Sequence, residues 1–133
     1  MIKPKWNKKF ECGHERIDQE HQIFITLIGN TSKAAELQHS STTRSLLIEI
    51  RIYAEFHFLS EENLMIEADY PDHAKHKDAH IKLLAALDSK INEFDEGTVQ
   101  LDKVADFLFE WFTKHTTDAD KKMAAYLINN QSD

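Results

Sequence analysis

Apolar residues recur with a period near 3.6 in four blocks, about 17–38, 42–67, 72–96 and 98–117. A stripe of that period is one face of an amphipathic helix. In the first block it reads Ile17, His21, Phe24, Ile28, Thr31, Ala35. In the second it reads Leu46, Ile50, Tyr53, His57, Glu61, Leu64. The third reads His73, His76, His80, Leu83, Leu87, Ile91, Phe94, and the fourth Leu101, Val104, Leu108, Trp111, His115. A shorter apolar segment covers 120–129. The pattern predicts an all-α fold: an up-down-up-down four-helix bundle with an N-terminal arm and a short C-terminal helix. Residues 1–133 form one domain in this reading, with the arm over 1–16, the bundle over 17–117 and a C-terminal segment over 118–133.

Residues that break helices are scarce and fall between the blocks. Gly and Pro number 3 and 2 in 133 residues, where average usage gives about 16 together. Pro4 and Gly13 lie in the arm, and Pro71 and Gly97 bracket the third block. Gly29 falls inside a strong helical pattern and is tolerated there at about 1 kcal/mol relative to Ala. The run His39-Ser40-Ser41-Thr42-Thr43 reads as a loop whose hydroxyls cap the next helix. Trp6 and Phe10 are expected to dock the arm on the bundle.

The stripes carry polar residues that a core does not tolerate alone. Each contains histidine, and the second adds Glu61. An unpaired buried charge costs several kcal/mol or neutralises itself through its pKa. A metal ion resolves this, because it binds neutral imidazole and ionised carboxylate directly. His57 and Glu61 are spaced i,i+4, as are His76 and His80, so each pair shares a helix face. His115 and Asp120 are spaced i,i+5, about 140° off a common face on a regular helix. Asp120 joins His115 only if the helix stops, bends or widens into a π-turn near Thr116-Thr117. Asp118 competes with it by periodicity, and spacing alone does not choose between them.

Five histidines and two carboxylates exceed one tetrahedral zinc site. His76-Lys77-Asp78-Ala79-His80 lacks the glutamate of H-E-x-x-H, so it is not a zinc-protease helix. Imidazole-rich, carboxylate-bridged sites suit iron. The ferritin-like di-iron class needs Glu-x-x-His on two helices. Here that spacing occurs only at Glu11/His14 and Glu36/His39, outside the stripe interiors.

Charge and composition exclude several partners. Net charge is −7 with neutral histidine, and nucleic acid or an anionic membrane each call for a basic face. No 18-residue apolar run is present, so no membrane span is expected. The N-terminal residues lack an apolar signal core, and the single cysteine, Cys12, has no internal partner. A cytoplasmic location is the resulting expectation.

The residues resemble the hemerythrins, in particular the single-domain bacterial ones. The likeness runs through Ile17-Asp18-Gln19-Glu20-His21, His57-Phe58 with Glu61-Glu62 and Met65, His76-x3-His80, and Trp111-x3-His115-x4-Asp120. It implies a non-haem di-iron centre of two iron ions with an oxo or hydroxo bridge. One iron would be held by His76, His80 and His115, the other by His21 and His57, with Glu61 and Asp120 bridging. The resemblance thereby selects Asp120 over Asp118. Of about twelve positions on two octahedral irons, one stays open, on the iron with two histidines. In the family dioxygen binds there.

The resemblance also marks departures. Positions usually aliphatic near the open site are Phe112 and Thr116 here, and Met123 stands where an aromatic is common. A Thr116 hydroxyl either bonds back to an i−4 carbonyl or faces the oxygen pocket. His14 and His39 are expected to be exposed, and His73 to serve at a helix start or beside a ligand. Glu62 faces solvent or accepts from a ligand N–H, and Cys12 is an inert small residue. The implied activity is reversible dioxygen binding, for storage or delivery or for oxygen and redox sensing, and not catalysis. The alternative is a sensory input domain whose redox state controls a fused or partner output domain, such as a nucleotide cyclase or chemoreceptor.

Overall fold

The computed structural model describes residues 4–130. Helices α1 (Glu15–Glu36), α2 (Ser40–Glu67), α3 (His73–Asp95) and α4 (Leu101–His115) form the bundle. A π-helical turn over Thr116–Asp120 then leads into α5 (Lys121–Asn129). In the arm, a short 3₁₀ turn spans Lys8–Phe10. Each bundle helix packs on the next, and α4 closes the ring against α1. Residues 1–3 and 131–133 of the expected arm and tail lie outside the described residues, as does the Leu101 side chain.

Three sharp reversals are made with little glycine. Helix α1 ends with Gln38 at φ 57°, α2 with Asp69 at φ 54° and α3 with Gly97 at φ 74°. At each, the chain folds back on the last turn. His39 N–H donates to Ala34 C=O, Tyr70 N–H to Met65 C=O and Thr98 N–H to Glu93 C=O, all at 2.9–3.0 Å. This is the six-to-one bond of a left-handed C-terminal cap. Two of the three use a residue with a Cβ, at a local cost of about 1–2 kcal/mol. That explains how a chain with 3 glycines closes a four-helix ring.

The reading of 39–43 as a loop is corrected. Helix α2 already begins at Ser40, and its hydroxyls do not cap it. Instead Thr43 Oγ1 donates back to His39 C=O at 2.7 Å. The true connection is Leu37–His39, set by the Gln38 reversal. The fourth block likewise starts later than expected, at Leu101.

Two apolar layers enclose the polar stripe positions. The larger contains Phe24, Ile28, Leu47, Ile50, Leu83, Leu87, Val104, Leu108 and Phe112. Leu47, not Leu46 of the expected stripe, is fully buried there. The arm docks on this layer as expected, with Phe10 buried and its ring 5.3 Å from Phe112. The smaller layer consists of Ile17, Met65, Met123 and Leu127. Met123 therefore fills the core under α5.

Candidate metal centre

Between the two layers, all four bundle helices and the π-turn aim side chains at one place. His21 comes from α1, His57 and Glu61 from α2, His76 and His80 from α3, His115 from α4 and Asp120 from the π-turn. Six of the seven are buried, and His115 is nearly so. Their ligand atoms gather in two groups. One is Glu61, His76, His80, His115 and Asp120; the other is His21, His57 and Glu61.

The two carboxylates link the groups oxygen by oxygen. Glu61 Oε1 lies 3.2 Å from His76 Nε2 and 3.1 Å from His80 Nε2. Its Oε2 lies 3.2 Å from His21 Nε2 and 3.0 Å from His57 Nε2. Asp120 Oδ1 is 3.0 Å from both His76 Nε2 and His115 Nε2, and its Oδ2 is 3.1 Å from His21 Nε2. Glu61 thus turns each oxygen toward two imidazoles, and Asp120 turns one oxygen toward two and the other toward one.

Several of these close pairs are not hydrogen bonds. Among the described residues, His80 Nε2, His115 Nε2 and Asp120 Oδ1 are buried without a hydrogen-bond partner, although each has a neighbour of opposite type near 3 Å. The atoms are near one another without pointing at one another. Two ligand atoms about 2.1 Å from one cation, at right angles, lie about 3.0 Å apart. The donor set and its spacing therefore fit metal ions held between nitrogen and oxygen.

The π-turn answers the spacing problem at Asp120. Its wider turn brings residue i+5 back toward the face of residue i, which places Asp120 beside His115. Asp118 instead points to solvent and pairs with Lys122 at 3.2 Å.

A family model described as the hemerythrin HHE cation binding domain matches residues 12–127. The chain belongs to this family. It is 26% identical to a bacteriohemerythrin of Clostridium acetobutylicum over 88% of this chain and 95% of that protein. It is 27% identical to myohemerythrin-1 of Phascolopsis gouldii over 88% of each. A solved wild-type hemerythrin shares the fold with TM-score 0.85 at 24% identity, covering 92% of this chain and 96% of that one.

Around the hemerythrin cluster, outward-facing nitrogens are held by acids. His57 Nδ1–H donates to Glu20 Oε1 at 2.7 Å, and His80 Nδ1–H to Glu62 Oε2 at 3.0 Å. Such bonds fix the tautomer and leave Nε2 for a metal. Glu62 takes the acceptor role left open by the sequence. Glu20 carried no assigned role there. Its signal was available: it sits on α1 one residue before His21, on the edge of the buried stripe. Aromatic rings pack the imidazoles, Phe58 on His80 at 4.0 Å and Trp111 on His115 at 4.5 Å.

Without metal, protons hold the cluster together. Burial alone would lower the His21 pKa, but Asp120 and Glu61 outweigh it and raise it to about 10. The same competition raises His76 to about 9. Burial likewise opposes ionisation of Glu61, yet His57, His21 and His76 hold it well below the usual carboxylate range. Metal entry must displace those imidazole protons.

The remaining histidines are accounted for differently. His39 is exposed as expected. His14 is only partly exposed, because its Nδ1 caps α1 by accepting from Ile17 N–H at 3.4 Å. His73 opens α3, in keeping with a helix-start position, and its Nε2 is buried without a hydrogen-bond partner among the described residues. Phe112 and Thr116 are both buried, and the Phe112 ring meets His21 edge-on at 5.5 Å. Thr113 and Thr117 bond back to carbonyls four residues earlier. Among the described residues, the Thr116 hydroxyl makes no such bond. No helix of the described residues is long and apolar enough to cross a membrane.

Proposed function

We propose that the cluster holds two iron ions joined by an oxo or hydroxo bridge, and that the protein binds dioxygen reversibly. The observation that carries this is the inequality of the two groups: three imidazoles in one and two in the other, with both carboxylates shared. In this reading His76, His80 and His115 complete one iron, while His21 and His57 leave a position open on the other. Two irons supply the two electrons that reversible capture of dioxygen uses. The protein's part is to hold them fixed, dry and unequal. Phe112 and Phe24 pack beside His21 and His57, with the two phenyl rings 5.5 Å apart, and exclude water from that side. The acids next to the cluster are already committed to imidazoles, which favours binding over acid–base catalysis.

A second reading, oxygen or redox sensing with a fused or partner output domain, is favoured by Thr116. Thr116 is buried, and a hydroxyl there that faces the pocket would hold water in its wall and hasten oxidation. Iron analysis of the loaded protein checks the centre: two irons per chain are expected, and markedly fewer with an intact fold rejects it. The lifetime of the oxygenated protein separates the two uses. Many hours fits storage or delivery and rejects a fast sensor, while decay within minutes does the reverse. Thr116→Ile slows that decay if Thr116 lines the pocket, and an unchanged rate removes it from this role.

A further inference from the structure

The poorer half of the centre has an unusually well-held acid behind one of its two imidazoles. His21 receives no such support, because its Nδ1 is buried without a hydrogen-bond partner among the described residues. His57 donates from Nδ1 to Glu20 at 2.7 Å. Glu20 is fixed from three further directions. Ser60 Oγ donates to Oε2 at 2.8 Å, Arg16 Nε donates to the same oxygen at 3.1 Å, and the Tyr53 hydroxyl donates to the Glu20 carbonyl at 2.7 Å. By contrast Glu62, behind His80 in the richer half, has that one polar contact among the described residues, at 3.0 Å. An anion held this firmly keeps His57 in one tautomer and strengthens Nε2 as a donor.

We propose that Glu20 is a positioning residue that offsets the missing third imidazole at the His21–His57 metal. Acting through His57, it keeps that metal nearly as tightly bound as its neighbour. Arg16 and Ser60 hold Glu20 in register, so the support runs from the surface of α1 to the inner face of α2. The inference rests on the two-metal reading above.

The test is titration of the whole metal-free protein with Co2+ under nitrogen, against a chelating dye, following the visible bands of the bound ion. Wild type is expected to take two ions. Glu20→Gln keeps the size and one acceptor oxygen for His57 Nδ1–H, but removes the charge and the oxygen that accepts from Ser60 and Arg16. It should weaken one of the two sites about 10–100-fold and leave the other unchanged. The bands lost at limiting Co2+ should match those lost in His57→Ala, and Glu20→Asp should restore part of the affinity. Glu62→Gln should weaken the other site. Ser60→Ala loosens Glu20 without removing it, so it should weaken the same site as Glu20→Gln by a smaller factor; it carries the test if Glu20→Gln does not fold. Equal weakening of both sites, or no change, overturns the proposal while two ions in wild type leave the centre standing. Fewer than two ions in wild type overturns the two-metal reading and this proposal with it.

Discussion

The layer around Leu87 and the layer around Glu61 are equally buried and chemically opposite. Leu87, Leu47, Ile50 and Val104 are each at 0% exposure, and so is Glu61. The first layer is stabilised by folding itself, at roughly 25 cal/mol per Å² of apolar surface removed from water. In the second, burial works against the side chains, and only mutual pairing or a cation offsets it. One bundle therefore contains a half that holds its shape unaided and a half whose stability depends on what is bound. The apolar layer supplies rigidity that keeps the polar one from collapsing or hydrating.

Three measurements break or sharpen that contrast. The largest effect is expected from Glu61→Leu, which removes the acid shared by both groups. Metal content should fall to below one ion per chain. The stabilisation that metal gives wild type, about 4 kcal/mol per site at a thousandfold excess over Kd, should vanish in urea unfolding. Retained metal-dependent stability would show that Glu61 is not the link between the groups.

Leu87→Ala comes next. It opens a cavity in the apolar layer and should cost about 3 kcal/mol. That loss should be similar with and without metal, and metal content should not change. A loss confined to the loaded protein would mean that the layers are not independent.

The smallest effect is the pH response of the metal-free protein. His21 and His76 are raised above the ordinary imidazole value of about 6.5, to about 10 and about 9. Their contribution is complete below about pH 6.5 and is lost as pH rises through 9 to 10. Glu61 and Asp120 are lowered, so their contribution is present above the usual carboxylate range and is lost toward acid. Stability in urea should therefore decline above pH 9 without metal. The loaded protein should stay level there, since bound imidazole carries no proton on Nε2, and should lose metal toward acid instead. Parallel curves would contradict the proton-held state.

Much of the bundle was legible from the stripes, because burying an apolar face on a helix demands a 3.6-residue period whatever the partner. Reversals were less so. Gln38 and Asp69 adopt left-handed backbone that the residue type does not advertise, and the hydroxyl-rich run at 40–43 looked like a loop although it is helix. There, packing of Thr43 into the core overrode local preference. Glu62 could be framed as an acceptor from its place beside Glu61. Glu20 was marked only by its place on the edge of the buried stripe, and nothing local to α1 says that His57 lies opposite.

By itself, the sequence determined the four faces, the chemical kinds of donor on each, and the inference that those faces need pairing or a cation to be buried. It also determined family membership through the spacing of those donors. Tertiary structure decided how they are shared. Spacing left Asp118 and Asp120 level, and the π-turn separates them by sending one to Lys122 and the other to His115. Only the packed bundle shares both carboxylates between a group of three imidazoles and a group of two, and only it sets Glu20 behind His57. The reason is physical. Helical period is a property of one chain segment, whereas the direction of a carboxylate oxygen depends on which helices stand opposite.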